Sequence, residues 1–199
     1  MLKSLHTLLL LFCIQCTPAL SGTITHSTNP ETGLKGWKFE QGDMQLELLQ
    51  RLPDQTRGFF LARGFKRNIA NQIANACVFQ TIIRNTGSIT PTRQSDKNAI
   101  TVSLKHWKIK FKNKTRPLKL KEDWIENWPL SSVKPAARHA FRWASFPTEQ
   151  TFHPTGDYNW GMTTFGLSPG DVFNLQIQWQ ISGKTHQAEI KNIQCARDR

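Results

Sequence analysis

The chemistry available to this chain is concentrated in a few residues. Glu149 and Asp157 offer two carboxylates eight positions apart, the residue types of a glycosidase acid–base pair. His153 and Met162 offer soft or borderline metal ligands suited to copper. Cys77 and Cys195 offer two thiols without Cys-x-x-Cys spacing. Lys105, Lys108, Lys110, Lys112, Lys114, Arg116, Lys119 and Lys121 are cations that precede any acid until Glu122. Phe152, Tyr158 and Trp160 place aromatic rings in a stretch punctuated by proline and glycine.

Each group carries an expectation. The carboxylates lack any accompanying Gly-x-Ser-x-Gly, His-Glu-x-x-His or reactive-cysteine motif, so a carbohydrate-active enzyme ranks third among the readings. His153 with Met162 is the copper candidate. The remaining histidines after the first twenty residues, His26, His106, His139 and His186, show no tight spacing. On a strand, Lys108, Lys110 and Lys112 share one face opposite Trp107, Ile109 and Phe111. That stripe reads as an anion-binding strip or as the solvated face of a sheet, its lysines blunting an edge. The 149–162 loop reads as a binding platform for sugars or protein, with Tyr158 and Trp160 as its rings, or as rings folded onto the core.

The elements that position these residues follow from periodicity. Residues 22–42 read as an extended lead-in anchored by Trp37 and Phe39. Met44, Leu46 and Leu48 alternate as a short strand. Pro53 suits the first turn of a helix, and a helical segment is expected over about 53–76. Ile69, Ile73 and Cys77, at steps of four, fall on one helical face. A buried strand runs from Cys77 to Arg84, and a polar loop follows. Ile100, Val102 and Leu104 alternate, then Trp107, Ile109 and Phe111 do so one residue out of phase, as a β-bulge at Lys105-His106 would produce. Trp124 and Trp128 are spaced as on a helix. His139, Phe141 and Trp143 alternate as in a strand, and 146–165 reads as a long ordered loop with one short strand. Phe173, Leu175, Ile177, Trp179 and Ile181 alternate with polar residues, turn at Ser182-Gly183, and return through His186, Ala188 and Ile190: a β-hairpin. These are the parts of an antiparallel β-sandwich of immunoglobulin-like architecture with a small helical insertion or cap, one domain spanning 22–199.

Residues 1–21 open with Lys3, continue through a leucine-rich run and end in small residues, the order of a secretory signal peptide. Phe12 before Cys13 and Gln15 before Cys16 are poor neighbours for a lipid-attachment cysteine. The expected compartment is periplasmic or extracellular. Removing the signal leaves Cys77 and Cys195, which are expected to form a disulfide there. Chain entropy assigns so long a loop roughly 4–5 kcal/mol. The signal carries just one cation, so the whole-chain charge of +12 stays strongly positive after its loss. Such a protein seeks anionic surfaces. Outside the cytoplasm these are acidic proteins and anionic envelope polymers, and nucleic acid is not an expected partner. No segment of the mature chain is long and apolar enough to span a membrane. The first expectation is therefore a non-enzymatic binding or accessory protein without cofactor. It would use the Lys108–Lys112 stripe and the aromatic loop on an acidic partner. A copper-handling protein is the alternative.

Overall fold

The computed structural model describes residues 22–89 and 95–198. The expected signal peptide, residues 1–21, lies outside the described residues. The chain is mainly β, with two antiparallel sheets packed face to face and four helices. In chain order the elements are β1 (Thr23–Thr28), β2 (Lys35–Gln41), β3 (Met44–Gln50), α1 (Pro53–Leu61), α2 (Arg67–Ala74) and β4 (Val78–Asn85). Then come β5 (Ile100–Ser103), β6 (Lys108–Phe111), β7 (Lys114–Pro117), α3 (Lys121–Asn127) and α4 (Pro135–Ala144). The chain closes with β8 (Glu149–Phe152), β9 (Tyr158–Thr164), β10 (Val172–Ile181) and β11 (Lys184–Gln194). Among the described residues no helix is long and apolar enough to cross a membrane.

The first sheet runs β1-β2-β3-β4-β9. In the second, β11 lies on one side of β10, while β5 and β6 follow one another along its other side; β8 pairs with β5 and β7 with β6. The inward rows are the apolar alternations of the sequence: Met44, Leu46 and Leu48, then Phe79 and Ile83, against Phe173, Leu175, Ile177 and Trp179, all buried. Asn85 joins the sheets at one end. Fully buried, its amide donates to the Asn98 carbonyl at 2.9 Å and the Phe152 carbonyl at 3.0 Å, while its oxygen accepts from the Gly87 N–H. Cys77 and Cys195 form the disulfide, Cα–Cα 5.1 Å, tying the chain just before β4 to the chain just after β11.

A second apolar cluster lies outside the first sheet, where Val78 and Met162 face away from the sandwich. Phe60 and Phe65, Ile69 and Ile73, Trp124 and Trp128, and Ala137 and Phe141 cover them. The helical cap is thus four helices rather than the one segment at 53–76.

Several local expectations are corrected. Residues 22–42 form two paired strands rather than a lead-in, because Trp37 and Phe39 alternate inward on β2. Cys77 is not on the α2 face. The helix ends at Ala74, and Cys77 takes φ 53°, which turns the chain into β4 and its sulfur toward the sandwich core. At Lys105-His106 the break is larger than a bulge: Leu104–His106 form a 3-10 turn, so six steps from Val102 to Lys108 match three on β10, Trp179 to Gln176. The β-bulge sits on β11 instead, where Asn192 takes φ 57° opposite the step from Phe173 to Leu175. His139–Trp143 is helical, within α4, and 146–165 holds two strands, β8 and β9.

Candidate functional site

The cations at 108–116 are carried by the β6–β7 hairpin. Its turn is Lys112-Asn113, with φ 47° and 59°, the two positive values that a tight right-twisted hairpin requires. Lys112 is therefore in the turn, not on the strand face expected for it. Its ammonium stands 4.9 Å from the Phe111 ring centroid. Alternation splits the others. Lys108 and Lys110 point to the outer face of the second sheet, while Lys114 and Arg116 stand opposite Phe111 and Ile109 and point the other way. Lys108, Lys112 and Lys114 are exposed. Lys110 donates to Glu189 Oε2 at 2.6 Å, and Asn174 donates to Glu189 Oε1 at 3.1 Å. The hydrogen bond from Lys110 holds the Glu189 carboxyl below the usual carboxylate range. Lys110 is thus partly neutralised within the fold.

Arg116 reaches across to the chain just after β9, where one guanidinium nitrogen donates to the Phe165 and Gly166 carbonyls, each at 2.9 Å. Beyond it, Lys119 lays its ammonium on the Trp124 ring, 3.3 Å from the centroid. Burial pushes the Lys119 amine below its ordinary value, and the nearby Asp123 opposes that shift. Trp124 is fixed in turn by its indole N–H, which donates to Thr164 Oγ1 at 2.8 Å.

The aromatic stretch divides. Phe146, Phe152 and Phe165 are buried in the sandwich core. Tyr158 and Trp160 lie on the outward face of β9, 52% and 58% exposed. Arg84 covers Tyr158 at 4.5 Å from the ring centroid. β9 is an edge strand, yet its free side is covered at its C-terminal end by bridges from Ser145 to Met162 and from Lys119 to Thr164. Tyr158 and the Arg116-bound carbonyls therefore mark opposite ends of β9, roughly 20 Å apart at the strand rise.

Trp143, 87% exposed on α4, is a surface aromatic that the strand reading concealed. It lies two residues before Ser145, as Trp160 lies two before Met162, so the Ser145–Met162 bridge places the two tryptophans on neighbouring elements.

The other candidates are not assembled. His153 is exposed just after β8, whereas Met162 is buried under the helices near the far end of β9. Among the described residues no group of three His, Cys, Asp or Glu side chains is placed to hold a metal ion. Asp157 Oδ2 accepts the His153 N–H at 2.9 Å, while Glu149 starts β8, about 13 Å of extended chain earlier. The two carboxylates do not face one another as a hydrolytic pair.

No family model, no curated protein and no solved structure matches the chain.

Proposed function

We propose that the chain is an exported, non-enzymatic binding protein of the periplasm or extracellular space that holds an anionic envelope polymer along the β6–β7 hairpin. One observation carries the reading: Lys108, Lys110, Lys112, Lys114 and Arg116 crowd a ten-residue hairpin that contains no acid, and Glu189 neutralises one of them. Lysines on an edge strand also blunt it against pairing with other chains, and the polymer reading rests on their number and on the missing acids. The split of the cations between two faces favours a flexible polyanion, which can follow both, over a rigid acidic protein, which meets one. The exposed Tyr158 and Trp160 lie on the outward face of the other sheet, toward the far end of β9, and are a separate surface that a long polymer would reach only by wrapping the edge of the sandwich.

Retention on an immobilised polyuronate, eluted by salt, tests this. Reversing Lys108, Lys112 and Lys114 to glutamate together is expected to move elution to much lower salt. Reversing Lys66, Lys134 and Lys184, which are exposed elsewhere, makes the same change in net charge and is expected to move it far less. Equal shifts in the two triple variants would reduce the hairpin to a share of the overall field and remove the reading. An acidic protein co-purifying in place of polymer would redirect it.

A further inference from the structure

Beside Arg116 a cleft of about 550 Å³ opens at the seam between the helical layer and the sandwich. The sandwich side contributes Arg116 from β7, Lys119 just after it, and Ser168 from the loop before β10. The helical side contributes Gln72 and Asn75, three residues apart at the end of α2, and Asp123 in the first turn of α3. The volume lies within the ordinary range of small-ligand sites, about 300–1,000 Å³, and the polar groups converge on it from separate elements.

The donors have definite free capacity. Arg116 uses one nitrogen on backbone carbonyls, and its other terminal nitrogen lies near Gly166, within the cleft wall. Lys119 has a ring beneath its ammonium and no ion pair shorter than 4.0 Å among the described residues. Gln72 and Asn75 have exposed side-chain amides without protein hydrogen bonds among the described residues. Asp123 spends Oδ2 on the Leu120 N–H at 2.8 Å, leaving Oδ1. Two cations ask for an anion, whereas a free carboxylate oxygen and two amides ask for hydroxyl groups. A bare phosphate carries its charge on every face, so it meets Asp123 with like charge and gives that oxygen and the amide carbonyls few donors. A sugar that carries a carboxylate uses both sets.

We propose that this cleft seats one carboxylated sugar residue, its carboxylate on Arg116 and Lys119 and its hydroxyls on Asp123, Gln72 and Asn75. The inference rests on the anionic-polymer reading and narrows the polymer to an acidic polysaccharide, whose end or branch the cleft holds while the hairpin follows the chain.

Calorimetric titration of the purified protein with three probes tests it: a galacturonic acid trisaccharide, the neutral galactose trisaccharide and inorganic phosphate. The uronide is expected to bind, and the other two at least tenfold more weakly. Lys119→Met keeps an apolar stem over Trp124 and removes the charge; it is expected to lose tenfold or more in uronide affinity with an unchanged circular-dichroism spectrum. Gln72→Ala with Asn75→Ala, both at exposed positions, is expected to lose severalfold. The hairpin triple variant is expected to keep uronide affinity within about twofold while losing polymer retention. Phosphate or neutral sugar binding as tightly as the uronide overturns the assignment. So does a Lys119→Met protein with full affinity. If the uronide fails to bind while hairpin reversal still abolishes polymer retention, the cleft assignment falls and the polymer reading stands. If the uronide binds through Lys119 while the hairpin variant retains polymer normally, the polymer reading falls and the cleft remains a uronate site.

Discussion

Phe173 and Phe141 are both fully buried aromatic residues, and they are held in different ways. Phe173 lies on β10 between two hydrogen-bonded sheets, with Phe165 at 5.0 Å and Phe79 at 6.4 Å between ring centroids. The disulfide closes the same core. Phe141 lies on α4 among four rings, with Trp128 at 4.9 Å, Phe60 at 5.6 Å, and Phe65 and Trp124 at 6.4 Å. Phe60, Trp124 and Phe141 ride on helices of 7 to 10 residues, too short to persist alone in water, while Phe65 lies in the α1–α2 link and Trp128 caps α3. Polar support is thin there but well aimed. The Arg138 guanidinium donates to the Val133, Ile125 and Trp128 carbonyls at 3.0, 2.7 and 2.5 Å, closing the connection between α3 and α4. The sandwich is thus a cross-linked ladder, whereas the helical layer coheres through packed rings. The cleft draws side chains from both, so its geometry depends on the softer partner.

The largest expected effect breaks the layer at its hub. Phe141→Ala is expected to destabilise by about 3–5 kcal/mol. Native-state hydrogen exchange should lose protection in α3 and α4 before β10. Uniform loss across both regions would mean that the two form a single cooperative unit and would remove the distinction. Replacing Cys77 and Cys195 together by alanine attacks the sandwich instead, with about 2–5 kcal/mol lost in urea unfolding. Protection is expected to fall first in β4 and β11. The positive φ at Cys77 adds a local cost that the disulfide offsets, and alanine inherits that cost without the link.

A smaller change sharpens the seam. Trp124→Phe removes the indole N–H that reaches Thr164 while keeping a ring beneath Lys119. Thr164 still donates to the Lys119 carbonyl at 2.7 Å. About 1 kcal/mol is expected from the lost hydrogen bond. Uronide affinity should change more than thermal stability does, because Lys119 loses its fixed seat. An unchanged affinity would show that the ring only fills space.

The same contrast governs what the sequence discloses. Along β10 every second residue is apolar and the turn is Ser182-Gly183, whose φ values of 50° and 73° need small or polar residues. Period two was visible, and the hairpin with it. On α4 the visible alternation misled. Phe141 and Trp143 are two apart, which is one side of a strand but nearly opposite sides of a helix. Phe141 is accordingly buried and Trp143 bare. The true signals were Pro135 at the first helical position and the Ala137–Phe141 step, and alanine contributes little to an apolar stripe. The cations were legible as charge but not as geometry, because the Lys112-Asn113 turn splits them between two faces. The cleft was not legible at all, since residues 72–75, 116–123 and 166–168 meet only through the docking of the helical layer on the sheets.

The smallest expected effect belongs to the surface of the sandwich and bears on the hairpin. Glu189 has a carboxyl pKa depressed in the folded chain, chiefly by the hydrogen bond from Lys110. Its contribution to stability is therefore complete above the ordinary carboxylate value of 4.5 and is lost as pH falls through the depressed folded value. The two side chains are 42% and 24% exposed, so the pair contributes below about 1 kcal/mol. Glu189→Gln should match the parent protein at low pH and fall short of it slightly near neutrality. The same deficit at both would trace the effect to packing rather than charge. Loss of the carboxylate also frees Lys110, so the variant should elute from the polyuronate at somewhat higher salt despite being the less stable protein. Stability and retention moving in opposite directions would separate the hairpin's role in binding from its role in the fold, and a joint decrease would leave Lys110 as a structural cation alone.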